Sequence, residues 1–257
     1  MRRDQDPITE SHAENTAGNG ARQVFDQHAA KYEQAVDRSI SFTGRNASFF
    51  AQRKVEVLHQ LLASRGRDLS QATVLDVGCG TGMTDRHLVS QVRTLHGVDI
   101  AEEMLIQAER NVPKAHFQCY DGKTLPFAAN SFDVVIAICV LHHVPVSYQS
   151  RFIEEMDRVA LPGGLIAIFE HNPANLLTRR AVRGCELDLG VILLSVGDVE
   201  RLLTAVGSRI IGHEYFLFTP FGGRVGLALD RLLRWVPLGG QHVVLAEATG
   251  HYEPFSA

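Results

Sequence analysis

The chain has 257 residues, 45% hydrophobic and 21% charged, a balance that supports a real core and excludes wholesale disorder. Its 25 Lys and Arg stand against 29 Asp and Glu, a net charge of −4, which argues against a nucleic-acid binder held by overall charge. The four cysteines, Cys79, Cys119, Cys139 and Cys185, form no CxxC pair. Neither a zinc ribbon nor a disulfide framework is therefore expected, the natural compartment is a reducing cytoplasm, and no apolar run approaches the ~20 residues of a membrane span.

Residues 1–20 are polar and read as a mobile tail, without the apolar stretch of a secretory signal. Residues 21–66 read as a helical cap of two amphipathic helices, 21–38 and 47–64; the second repeats Phe50, Val57, Leu58, Leu61 and Leu62 at roughly helical spacing. From Thr73 the pattern alternates: strand Thr73–Val77, helix Thr81–Gln91, strand Leu95–Val98, helix Ala101–Asn111 and strand Ala115–Tyr120. It continues with the almost wholly apolar strand Phe132–Cys139, helix Ser147–Val159, a Pro162-Gly163-Gly164 turn and strand Leu165–Glu170. Such alternation predicts an α/β fold with a doubly wound, mostly parallel sheet. Residues 171–194 read as irregular. A helix then starts at Ser195, with Asp198 placed for a capping box and Gly207 as its stop. Strands Arg209–Phe218 and Gln241–Ala248 are expected to pair antiparallel. A single domain over 21–257 follows, with 171–194 and 219–240 as substrate-side insertions. The helix Gly222–Trp235 in the second insertion, with Val225, Leu229 and Leu232, is placed to act as an apolar lid.

The sharpest signal is Leu75-Asp76-Val77-Gly78-Cys79-Gly80-Thr81-Gly82, where a strand feeds a helix. Glycines belong there because the chain turns tightly and a ligand approaches its backbone. The spacing is G-x-G-x-G; the third glycine of the dinucleotide fingerprint would fall on Met83. Asp76, two residues before the first glycine, would repel a pyrophosphate and suits a ligand carrying cationic or hydroxylated groups.

This loop resembles the first motif of class I S-adenosylmethionine-dependent methyltransferases. Asp99 at the end of the second strand, Asp121 to Phe127, Ser131-Phe132-Asp133, Leu141-His142-His143 and Pro162-Gly163-Gly164 resemble the same family in order. Phe25, Ala29 and Tyr32 are similar to its opening helix. The resemblance covers about residues 20–170 and the C-terminal strand pair, and implies a seven-stranded Rossmann-like methyltransferase sheet. It implies S-adenosylmethionine as cofactor, with contacts from Tyr32, Asp76, Gly78, Cys79, Gly80, Gly82, Asp99, Ile100, Met104, Asp121, Gly122, Cys139 and His142. In it Asp99 would accept the ribose hydroxyls and Asp121 would approach the adenine amine.

Glu170 ends a buried strand beside the expected reaction centre. A carboxyl there reads as a general base with its pKa raised by an apolar pocket, or as a substrate contact; His171 is the second catalytic candidate. If the chain turns helical after Pro173, Arg179 and Arg183 share one face. With Arg180, Asn172 and Thr178 they would form a clamp for phosphate or carboxylate, with Phe49 and Phe50 on the apolar side. Glu186 and Asp188 would then hold a Mg2+ carried by a diphosphate, while no resident metal is expected. Lys54 reads as an exposed lysine. The stretch from Glu170 to Arg180 also resembles a subgroup of bacterial methyltransferases that includes the geranyl diphosphate C6-methyltransferase. That implies an anionic, partly apolar small molecule, C-methylated as an isoprenoid diphosphate with Glu170 as base. An O-methyltransferase for a sugar, quinone or polyketide hydroxyl, and a non-catalytic binder of the cofactor, stand as alternatives.

Overall fold

A computed structural model describes residues 20–219 and 223–250. The expected tail lies outside them except for Gly20, which is helical. Helix α1 (20–28) leads into α2 (Tyr32–Ile40) and α3 (Ala47–Ala63). Asn46 caps α3, its side chain accepting the Phe49 N–H.

Seven strands follow: β1 (Thr73–Val77), β2 (Thr94–Asp99), β3 (His116–Cys119), β4 (Phe132–Ile138), β5 (Ala160–His171), β6 (Arg209–Phe216) and β7 (Gln241–Glu247). They form one sheet in the order β3-β2-β1-β4-β5-β7-β6. The first five pair in parallel, and β7 runs antiparallel to both β5 and β6. Helices α4 (Asp85–Leu88), α5 (Glu102–Asn111) and α6 (Val146–Val159) fill the crossovers; α7 (Leu176–Arg183), α8 (Val196–Ala205) and α9 (Gly223–Leu233) belong to the C-terminal third.

Alternating side chains supply one core on each face of the sheet. Leu75, Val135, Ile166 and Val244 meet Ile153 and Met156 of α6 and Leu203 of α8 on one side. Val74, Ile136, Phe169 and Leu245 meet Leu58 and Leu62 of α3 on the other. The strand order reverses between β1 and β4, and the crevice beyond the carboxyl ends of these strands is where ligands bind in such sheets.

Three local readings change. The helix expected over Thr81–Gln91 shrinks to Asp85–Leu88, because Gly82, at φ +71, holds a turn before it. Pro162, Gly163 and Gly164 lie inside β5, whose pairing with β4 shifts register between Phe132 and Val134. The stretch 171–194 contains α7, capped by Asn175 on the Thr178 N–H. Helix α9 is anchored by Asp230, which accepts from the buried guanidinium of Arg53 on α3. The capping box at Ser195 and Asp198 forms as expected. Among the described residues no helix is long and apolar enough to cross a membrane.

Candidate active site

The loop after β1 is fixed by its own backbone. The N–H groups of Gly78 and Cys79 both donate to Val98 O on β2, at 2.7 and 3.0 Å. Gly78 has φ +81, and a Cβ there would lie 2.5 Å from Val140 Cγ2. Gly80 has φ +54, and a Cβ there would meet nothing within 4 Å, so its backbone faces open space. Asp99 Oδ2 accepts the Gly80 N–H and Oδ1 the Ala101 N–H, each at 2.9 Å, which fixes the carboxyl at the edge of the loop.

This loop is the floor of a cavity of about 240 Å³. Of the expected cofactor residues, Tyr32, Asp76, Gly78, Cys79, Gly80, Asp99, Ile100, Met104, Asp121, Gly122 and Cys139 line it. Gly82 does not: a Cβ there would meet Val112 Cγ2 at 3.1 Å and Ala108 Cα at 3.4 Å, so its bareness lets the loop pack on α5. His142 lines a neighbouring cavity instead.

Three carboxyls face this first cavity in different states. Asp121 accepts the N–H groups of Lys123 and Thr124 at 2.8 and 2.9 Å. Its desolvation opposes ionisation, but these amides outweigh it and hold its pKa below the usual range. Asp99 is raised, by burial above all. Asp76 is raised to about 7, by burial first and then by the Asp99 charge, although its hydrogen bond with the Asp85 carboxyl works the other way. Asp76 Oδ1 and Thr81 Oγ1 are buried with no partner among the described residues. Acids and orphaned acceptors around one cavity disfavour a polyphosphate. They fit a ligand with a positive charge, hydroxyls and an amine, which is the chemistry of S-adenosylmethionine.

A second cavity of about 340 Å³ adjoins the first. Phe25, Tyr32, Lys54, Met83, Cys139 and His143 line both, so the two meet there. Its walls are mostly apolar, including Val36, Ile40, Phe42, Phe50, Leu177 and Phe218. Cys139 sits at the junction with φ +57, an uncommon backbone state that concentrates at functional sites.

One side of the second cavity is a histidine–acid cluster. Glu170 Oε1 accepts the Leu141 N–H at 2.9 Å, and Oε2 accepts His142 Nδ1–H at 2.5 Å. Asp188 Oδ1 lies 3.9 Å from His142 Nε2 and 3.3 Å from His143 Nε2. Burial disfavours the His142 charge, yet the Glu170 carboxylate, with Asp188 beyond, pushes the imidazole up to about 10. Burial holds His143 down against the pull of Asp188. His171 falls to about 4, by burial and then by repulsion from His142. Burial alone would raise Asp188, but the two imidazoles hold it well below the carboxylate range.

The expected base therefore needs correction. Glu170 is fully buried, lines neither cavity and has both oxygens engaged. Burial would raise its pKa, but the charge and hydrogen bond of His142 outweigh this and lower it. His171 does line the second cavity, its Nδ1 accepting from Gln241 Nε2 at 3.2 Å.

The anion clamp does not form either. Arg179, Arg180 and Arg183 lie on the exposed face of α7, and none lines a cavity; the Arg180 guanidinium stacks over Phe42, 4.9 Å from the ring centre. The cavity face of α7 carries Leu177, Thr178, Ala181 and Val182. Asn172 is spent on the loop before β7, donating to Pro237 O and Gly239 O. Phe50 reaches the cavity, whereas Phe49 packs edge-on against it under Arg45. Glu186 turns to His28 and Arg38, away from the expected Mg2+ partnership with Asp188. No described residue of α9 lines either cavity, so the lid reading is also corrected.

Lys54, read as an exposed lysine, lines both cavities. Its signal lay in helical spacing: Ala47, Phe50, Ala51 and Lys54 make one stripe of α3.

Residues 75–168 match the family described as a methyltransferase domain. That stretch is where the likeness lies, and it is less than half of the chain. It holds the glycine loop, Asp99, Asp121 and the His142–His143 pair. The chain is 37% identical over 115 residues to phthiotriol/phenolphthiotriol dimycocerosates methyltransferase 1 of Mycobacterium ulcerans, which covers 42% of this chain and 41% of that one. It is 32% identical over 132 residues to the 2-methyl-6-phytyl-1,4-hydroquinone methyltransferase of a Synechocystis species, covering 49% and 41%. The chain spans about half or less of the length of these curated relatives. In fold, it is similar to the magnesium protoporphyrin IX methyltransferase of Synechocystis with bound SAH, at TM-score 0.62 and 18% identity over 90% of this chain and 99% of that one. It is also similar to the cyclase SpnF, at TM-score 0.58 and 19% identity over 78% and 82%. One sheet thus hosts methyl transfer and cyclisation, and the chemistry has to be argued from the site.

Proposed function

We propose that the chain transfers a methyl group from S-adenosylmethionine to an oxygen of a small, largely apolar acceptor. The observation that carries this reading is the junction of the two cavities at Tyr32, Lys54, Cys139 and His143. A ligand on the glycine loop and a ligand in the apolar cavity share that boundary. The cofactor brings an electrophilic methyl group and its own leaving group. The protein's part is then to hold two ligands in line and keep water out. Asp99 and Asp121 offer acceptors for hydroxyl and amine donors, and Asp76 offers a charge to a cation. Phe25 and Tyr32 cover the junction from the helical cap. The histidine–acid cluster gives the acceptor cavity its polar end, where an ionisable oxygen finds donors.

The names of two relatives, one citing a phytyl hydroquinone and one phenolphthiotriol, support an apolar acceptor bearing hydroxyls. C-methylation of an isoprenoid diphosphate draws on the same apolar walls, but its clamp arginines are exposed and its base is engaged. Among the Lys and Arg of the described residues, Lys54 alone lines the acceptor cavity.

The test is titration with S-adenosylhomocysteine, followed by transfer of labelled methyl from S-adenosylmethionine to phenols, hydroquinones and geranyl diphosphate. Binding that weakens at least tenfold in Asp99→Ala, with label entering an O-methyl product, supports the reading. Label entering a prenyl diphosphate carbon moves the assignment to C-methylation. No cofactor binding removes the enzyme reading.

A further inference from the structure

The His142, His143 and Asp188 side chains each offer one ligating atom, and these three atoms lie within 4.8 Å of one another. All three residues line the acceptor cavity, His143 at its junction with the cofactor cavity. Two imidazole nitrogens and one carboxylate oxygen are the donor set of catalytic zinc and non-haem iron sites, which keep a position open for water or substrate. Metal–nitrogen bonds of about 2.0–2.1 Å put neighbouring tetrahedral ligands ~3.3 Å apart. His143 Nε2 and Asp188 Oδ1 stand at 3.3 Å, and His142 Nε2 and Asp188 Oδ1 at 3.9 Å.

A second observation is independent of these distances. His142 uses its other nitrogen, Nδ1, to donate to Glu170, a fully buried carboxylate that is also held by the Leu141 N–H. That arrangement fixes the ring and turns Nε2 toward Asp188, so that metal binding there displaces the proton the imidazole otherwise holds against that carboxylate. Ligating histidines are held in the same way, by a carboxylate behind the ring. Glu170 thus acquires a role as a positioning residue, which its burial denies it as a base.

We propose that His142, His143 and Asp188 bind a divalent transition metal of the zinc or ferrous type, whose open positions face the acceptor cavity and take an anionic oxygen of the acceptor. The choice of acceptor oxygen rests on the methyl-transfer reading; metal binding does not. A set with two imidazoles favours such an ion over Mg2+, which prefers oxygen ligands.

The experiment uses the untagged, chelator-stripped full chain, titrated with Co2+ and Zn2+ while visible absorption and heat are read. One equivalent of Co2+ with the ligand-field bands of a nitrogen–oxygen site is expected, displaced by Zn2+. Asp188→Asn, which keeps the side-chain shape, should weaken Zn2+ binding at least tenfold, and Glu170→Gln about 10–100-fold. Asp188→His should restore part of the loss. S-Adenosylhomocysteine is titrated into the same samples as a check on folding. Cofactor binding without stoichiometric metal binding overturns the site and leaves the methyl-transfer reading standing. Metal binding untouched by both Asp188→Asn and Glu170→Gln also overturns it. Metal binding without cofactor binding keeps the site and removes the methyl-transfer reading.

Discussion

Asp76 and Asp85 share a buried site under the glycine loop, where neither oxygen of Asp85 nor Oδ1 of Asp76 meets a conventional donor. Two carboxyls so placed interact through a shared proton. Both stand above the usual range: burial is the main cause, and the Asp76 charge adds to it for Asp85. The native state therefore keeps protons that the unfolded chain has already lost. In the window from an ordinary Asp value of about 3.9 up to about 7 for Asp76, the pair's contribution to stability falls as pH rises. Asp85→Asn removes the second acid and supplies an amide donor to Asp76. Its denaturation midpoint should gain on the wild type as pH rises through that window; a constant offset would show that the pair does not share a proton.

The same pair couples cofactor binding to pH. A cationic ligand beside Asp76 favours its ionised form and should release protons near neutrality. Calorimetric titration with S-adenosylmethionine in two buffers of different ionisation enthalpy measures this. Release should shrink in Asp76→Asn, and equal heats in both buffers would remove the coupling.

The two loop glycines should fail differently. Gly78→Ala places a methyl against Val140 and forces an L side chain to φ +81, so stability should drop by about 1–3 kcal/mol. Adding Val140→Ala should recover the steric part alone. Gly80→Ala meets open space, with φ +54. Its stability loss should stay near ~1 kcal/mol, while S-adenosylhomocysteine affinity falls at least tenfold because the methyl occupies ligand space.

Glu170→Gln breaks a fully buried pair with His142. Leaving a buried charge without its partner costs about 3–5 kcal/mol. A loss of that size in chemical denaturation, with cofactor affinity held within a few-fold, fits a residue that positions the cluster from behind. Loss of cofactor affinity with stability intact would place Glu170 in direct contact with ligand.

These outcomes mark what was legible in the sequence. The sheet, the glycine loop and the Asp76, Asp99 and Asp121 carboxyls were readable, because strand periodicity and short spacings fix which residues reach the strand ends. The acceptor side was not. Asp188 meets His143 only after α7 folds back, and no local pattern reports that contact. The arginines of α7 had the right spacing, but spacing says that they share a face and not which way the face points. Leu177, Thr178, Ala181 and Val182 face the cavity and turn the arginines outward. Glu170 stands out for its position at a strand end, yet its state depends on His142, which is distant in sequence and lies in the turn that follows the neighbouring strand β4.

The acceptor's charge can be tested at Lys54 against Arg179 and Arg183. Arg179→Ala/Arg183→Ala alters an exposed face that lines no cavity, so acceptor KM and kcat should stay within twofold of wild type. Lys54 lines both cavities, and Lys54→Met keeps its apolar stem while removing the ammonium. An acceptor that ionises at its oxygen should lose at least tenfold in kcat/KM with Lys54→Met, and a neutral ether analogue should bind the variant as well as the wild type. If the arginine variant instead raises KM for geranyl diphosphate while Lys54→Met does not, the anion is read outside the cavity, and a diphosphate reaching the α7 surface becomes the better account of the substrate.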